Sequence, residues 1–183
     1  MQLSNHFLIA MPSLEDPNFS RTVTLICEHS ESGAMGITIN RPMDLALGDV
    51  LTQMGIEFEP SAQTESPIYQ GGPVQENRGF ILHEPIGHWE STLRVTESLG
   101  VSTSRDILDA IARQNGPTHH ILTLGYAGWG PGQLEQEIAD NAWLNGPANR
   151  EIIFEVATDQ RWQAAAEHLG VDLAALSGET GHA

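Results

Sequence analysis

The chain has 183 residues, with 24 acidic side chains against eight basic ones and a formal charge of −16 at pH 7; that length suits one domain with a substantial core. All eight cations are arginine, which excludes Schiff-base, P-loop and kinase-type lysine chemistry, and the acidic balance argues against a surface that neutralises nucleic-acid phosphates. The single cysteine, Cys27, excludes an internal disulfide and a multi-cysteine metal cluster within the chain.

No apolar run is long enough to span a bilayer, and the first residues lack the pattern of a signal peptide, so a cytoplasmic location is expected. Leu3–Met11 predicts a short apolar strand, ended by Pro12 and the Asp16-Pro17-Asn18 turn. Over Arg21–Glu28, Thr22 and Thr24 alternate with Val23, Leu25 and Cys27, the pattern of a half-buried strand. Met35–Asn40 is a second strand, joined to the first as a hairpin with a longer loop. Leu47, Val50, Leu51 and Met54 recur at helical spacing, with Gly55 as the stop. The polar Glu57–Ser66 reads as a loop. Arg78–His83 is another strand, and Ser91–Thr96 returns after a turn. Thr103-Ser104-Arg105-Asp106 opens a helix, as an N-cap hydroxyl with an acid three residues on, and its inner face is Ile107, Leu108, Ile111 and Ala112.

The stretch from His119 to Trp143 carries the most specific residues. Ile121, Leu122 and Leu124 predict a buried strand, which Gly125, Gly128, Gly130 and Gly132 then break. Pro131 suits a first helical turn, and Leu134, Ile138 and Ala142 give the following helix an apolar face. Strand, glycine turn and helix start could cradle an anion. Glu135 and Glu137 already occupy the first turns, however, and would repel a phosphate. The favoured role is packing, with the glycines letting Tyr126 and Trp129 fold back onto the helix. Glu151–Val156 predicts a strand, Thr158 caps a last long helix, Gly170 stops it, and a helical turn at Asp172–Leu176 precedes a polar tail.

Strands come in hairpin groups with helices between them, without sustained strand–helix–strand alternation. The fold class is therefore α+β, a mixed, partly closed, barrel-like sheet with flanking helices, organised as one domain over residues 1–183 with a frayed tail from about 177.

Three motifs stand together. The first is Pro12–Arg21 (PSLEDPNFSR) with Gly33–Pro42 (GAMGITINRP). The second is Gly71–Val74 (GGPV) with Arg78–His83 (RGFILH). The third is Gly125–Glu135 (GYAGWGPGQLE) with Asn141-Ala142-Trp143. In order and spacing, from Leu8 onward, the chain resembles the YqgE/AlgH family of bacterial proteins. The resemblance implies a small cytosolic α+β protein with a closed, bifurcated sheet; it implies no particular reaction. Some members carry a transcriptional-regulator label through a genetic link to alginate production. The charge of this chain makes any such effect indirect.

Candidate site residues follow from chemistry and motif company. Cys27, His29 and His83 are the candidates for catalysis, since a histidine two residues beyond a cysteine lies on the same side of a strand; a lone cysteine on an apolar face is more often core. Arg21, Asn40, Arg41 and Arg78 are the candidates for holding a small anion, weighed against ion pairs with carboxylates such as Asp16 or Glu28. Gly125, Tyr126, Gly128, Trp129, Gly130 and Gly132 are read as structural. The histidines have no metal-ligand spacing, so neither a metal nor a cofactor is expected. The leading functional expectation is a non-enzymatic module that binds a small anionic ligand or a protein partner and has a regulatory role. The alternative is a hydrolytic or thiol-dependent enzyme, and a DNA-binding regulator ranks last.

Overall fold

The computed structural model describes residues 1–176, and the expected frayed tail lies outside them. In chain order the strands are β1 (His6–Ala10), β2 (Val23–Ser30), β3 (Gly33–Thr38), β4 (Pro42–Ala46), β5 (Pro67–Gln70), β6 (Val74–Glu84), β7 (Thr92–Arg94), β8 (Gly100–Ser102), β9 (His119–Trp129) and β10 (Trp143–Pro147). The helices are α1 (Leu47–Gln53), α2 (Ala62–Glu65), α3 (Arg105–Ala112), α4 (Gln133–Ala139), α5 (Arg150–Phe154) and α6 (Arg161–His168). A 3₁₀ turn at Thr158–Gln160 leads into α6.

The main path of the sheet runs β10-β1-β2-β3-β9-β6-β8-β7. It bifurcates at β9, which also pairs in parallel with β5, and β5 in turn carries β4. The other pairings are antiparallel. Phe7 and Ile9 from β1 share one apolar cluster with Val101 from β8, near the opposite end of the strand order. Such a meeting requires the sheet to curl. Helices α5 and α6 fill the face it curls around, through Ile152, Ile153, Ala165 and Ala166. Helices α1 and α3 cover Ile81 and Leu122 on the other face. A third cluster holds Leu134 of α4 with Leu8, Ile26, Trp129 and Trp143. The architecture is the expected α+β fold with a partly closed, bifurcated sheet.

Several local expectations change. The first hairpin has a two-residue loop, because Ser30 pairs with Gly33. Over Val23–Cys27, β2 is buried on both faces rather than half-buried, and only Glu28 and Ser30 further along are exposed; Thr24, and Thr22 just before the strand, are as inaccessible as Val23 and Leu25. The threonines tolerate this because their hydroxyls are bonded, Thr24 to the Thr38 hydroxyl (3.0 Å) and Thr22 to the Phe19 carbonyl (2.6 Å). The segment expected as a strand at Glu151–Val156 is helix α5. Its Asn149 cap accepts from the Ile152 N–H at 3.1 Å, and both Ile152 and Ile153 are buried, so capping and tertiary burial override the β-branched propensity. Gly146-Pro147, a pair that by itself signals a break, lies within β10; a proline is tolerated at the end of an edge strand. Strand β8 is only three residues long and β4 is mostly exposed, so neither stands out by periodicity, and one turn of helix, capped by Ser61, interrupts the expected loop before Ser66.

The glycine-rich stretch differs most. Strand β9 runs through Gly125 and Gly128 to Trp129. Gly125 has φ +78° and works as a bulge. Ile121 points into the core that holds α5 and α6, and strict alternation would send Ala127 there as well. Instead Tyr126 packs against that core, while Ala127 and Trp129 join the α4 cluster. One extra residue has exchanged the faces. The bulge also falls where β9 passes from β6 and β5 to β3. Pro131 precedes α4 instead of opening it, because Gly132 is the N-cap.

Candidate functional site

The candidates for catalysis are sealed. Cys27 is 3% exposed, its thiol points at the Leu25 carbonyl (3.6 Å), and burial, aided by Glu28, pushes its pKa up to about 12. A thiol held neutral in this way is no nucleophile. His29 is buried, and its Nδ1 accepts the Leu3 N–H at 3.1 Å. Its Nε2 has no hydrogen-bond partner and lies 3.4 Å from Glu135. His83 has no exposed surface; Nδ1 faces the Pro85 carbonyl (3.1 Å) and Nε2 the Ser102 hydroxyl (2.7 Å), and burial lowers its pKa. The Ser102 contact has the length of a nucleophile–base pair, but Ser102 is itself fully buried and is bonded in turn to Thr92 at 2.7 Å.

The four candidates for anion binding separate into two groups. Asn40 accepts the Val23 N–H (2.9 Å) and donates to the Arg21 carbonyl (3.0 Å). Arg41 donates to the carbonyls of Pro17 (2.6 Å) and Ser20 (3.0 Å). Together they clasp the 12–21 loop onto the sheet. Arg21, at φ +58°, lays its guanidinium over Trp162 at 4.7 Å, in a groove also lined by Glu15, Asp159, Glu167 and Asp172. Those acids disfavour an anion there. The expected ion pairs with Asp16 or Glu28 are absent among the described residues; carbonyls and an indole take their place.

Arg78 differs. It is exposed, forms no ion pair among the described residues, donates to the Gln75 amide oxygen at 3.2 Å, and sits 5.4 Å from the Phe80 ring centre. It lines a cleft of about 700 Å³ with a floor of Met35, Val74, Phe80, Leu93 and Tyr126, and with Glu28 and Trp129 on its walls. Gly33, Ala34 and Met35, then Val74, Arg78 and Phe80, then Tyr126, Gly128 and Trp129 border it. Each group comes from a different motif. The strands beneath approach closely because the residues there lack side chains: a Cβ on Gly72 would overlap the Tyr126 carbonyl, and one on Gly71 the Gly125 carbonyl.

The aromatic residues of the third motif are locked. The indole N–H groups of Trp129 and Trp143 donate to the same Glu137 oxygen, each at 3.0 Å, while Gln133 donates to the other oxygen at 2.9 Å. The Gly130 N–H is taken by the Gln133 side chain at 3.0 Å. Phe19 closes the cluster, edge-on to Trp143 at 5.5 Å. The Gly130 amide thus holds a side chain of the protein, and of the two rings expected to fold back onto the helix only Trp129 does so; Tyr126 packs on the other face, edge-on to Phe80.

One group escaped sequence reading. Arg161 opens α6 and is 5% exposed, the only arginine among the described residues that is buried. It borders a smaller cavity with Tyr69, His119 and His120. An arginine just after a helix cap carries no signal of burial; only the meeting of α6 with β5 and β9 encloses it.

The curled sheet bifurcating at β9, with helices packed on its faces, defines an α+β protein. The chain belongs to the AlgH-like family, whose model matches residues 7–174. It is 58% identical over 179 residues to a UPF0301 protein of Nitrosococcus oceani (98% of this chain, 96% of the relative). It is 61% identical over 180 residues to one of Thioalkalivibrio sulfidiphilus, with the same coverage. Among solved structures it is similar to the solution structure of AlgH from Pseudomonas aeruginosa, with TM-score 0.81, 49% identity, and 100% and 97% of the two chains covered. A crystal structure of a Corynebacterium diphtheriae protein, TM-score 0.77 at 24% identity over 97% and 92% of the chains, shares the fold.

Proposed function

We propose that this protein is a non-enzymatic binding module that takes a small ligand, with an apolar body and one anionic group, in the cleft at Arg78. The observation that carries the reading is the convergence there of segments from all three motifs around one guanidinium that forms no ion pair among the described residues. A concave site with an apolar floor and few polar groups suits a small molecule, and Arg78 would supply charge and orientation. A protein that binds without turnover acts through occupancy, which fits a regulatory role. A lone buried thiol fits a cytoplasmic setting.

The test is a thermal-shift and NMR screen of anionic metabolites against the wild-type protein and Arg78→Gln. A hit should perturb Tyr126 and Phe80 and bind about tenfold more weakly to the exposed-site variant, the loss of one charge-assisted contact. The same preparation should leave Cys27 unlabelled by a thiol reagent until it is denatured. Rapid native labelling, or turnover of a hit, would return the enzyme reading.

A further inference from the structure

Arg161 is a buried cation that has no carboxylate partner among the described residues; Tyr69 beside it offsets part of the cost of its burial. Its Nε donates to the Val156 carbonyl at 3.0 Å and its Nη1 to the Ile39 carbonyl. The Tyr69 ring lies 5.3 Å from it, and the Tyr69 hydroxyl is engaged with Thr158 at 2.8 Å. Among the described residues it makes no ion pair. Burial lowers its pKa from the ordinary value, but an arginine stays charged in proteins. Removing such a charge from water without a partner is costly, and the cost is recovered when an anion reaches it.

The cavity it borders has a volume of about 240 Å³. Its polar lining is Gln63, Ser66, Thr118, Tyr69, His119 and His120, without an acidic residue. In a chain with 24 carboxylates that is a local exception to the molecular charge. The two histidines face the same region from the start of β9. His120 is held neutral, its pKa lowered to about 4 by burial and by His83 and His119. Arg150 binds Glu84 at 2.7 Å and reaches His119 Nδ1 at 3.4 Å, so that acid is already paired.

We propose that this cavity is a second binding site, separate from the Arg78 cleft, for a small oxyanion: a carboxylate or phosphate group seated against the free edge of Arg161. The volume is below the range of drug-sized pockets, roughly 300–1,000 Å³, so the occupant is smaller than a nucleotide. Phe154 and Leu122 leave room for a short apolar body beside the charge.

The experiment follows the Arg161 Nε–H resonance of the full chain by NMR during titration with inorganic phosphate, with acetate, and with chloride at matched ionic strength. A saturable shift with phosphate or acetate, and none with chloride, is expected; which of the two saturates at lower concentration assigns the headgroup. Drift that follows ionic strength alone for all three overturns the proposal. Replacing Arg161 would also break its ties to Val156 and Ile39, so the decisive variant is at the exposed Gln63. Gln63→Glu places a carboxylate in the cavity and should weaken oxyanion binding by about tenfold or more. Gln63→Met, without the charge, should retain it. Equal binding by wild type and Gln63→Glu overturns the site. Arg78→Gln should leave this titration unchanged, which keeps the outcome separate from that of the Arg78 cleft; a shift abolished by Arg78→Gln also overturns it.

Discussion

The glycines shared by the motifs have different reasons to be glycine. At Gly72 the backbone lies against the Tyr126 carbonyl, and a Cβ has nowhere to go. At Gly128 the nearest heavy atom to an added Cβ is Tyr126 Cε2 at 3.5 Å, an ordinary contact, and the residue is exposed. Gly72→Ala should therefore cost about 3 kcal/mol or more by overpacking the β5–β9 approach. Gly128→Ala should change stability by less than about 0.5 kcal/mol. Urea denaturation of both variants checks this, and equal losses would show that the two positions are governed by something other than room for a Cβ. Cys27 shows what single-residue reasoning does well: its place on an apolar face of β2 suggested core packing, and its burial agrees. The arginines show the reverse. Nothing local tells that Arg41 ties down carbonyls, that Arg21 stacks on Trp162, that Arg78 stands free or that Arg161 is enclosed.

Among the elements, α4 acts as a clamp. Its Glu137 accepts from two nearly buried indoles, Trp129 at 6% and Trp143 at 4% exposure, one at the end of β9 and one at the start of β10. One carboxylate thus ties together two strands that flank β3, β2 and β1 in the sheet order. Glu137→Ala leaves both N–H groups without acceptor and should destabilise the protein by about 2–4 kcal/mol, given roughly 1.5–3 kcal/mol for a hydrogen bond to a charged group. The variant should also change tryptophan fluorescence in the native state. Unaltered emission together with unaltered stability would show that the indoles find other partners. Periodicity identified α1, α3 and α6 because each has an amphipathic face of its own. It misread α5, whose short isoleucine run has strand propensity and is helical only because Asn149 caps it and the curled sheet receives both isoleucines.

At the scale of the whole molecule, the charge of −16 governs encounters. Duplex DNA should show no mobility shift with this protein at physiological ionic strength, since no basic stripe is available to release counterions. A shift that weakens steeply with added salt would restore the DNA-binding reading. Against that field Arg78 and Arg161 are conspicuous, because neither forms an ion pair among the described residues.

Composition, motif spacing and apolar periodicity by themselves determined the α+β class, the family and the apolar role of Cys27. These depend on residue type and near-neighbour order, which are local. The tertiary structure alone decided which arginines are free, that β9 changes faces at Gly125, and that Arg161 shares a cavity with two histidines. Those outcomes depend on which distant segments meet when the sheet curls, and a contact between residues as far apart as Ile39 and Arg161 has no local signature.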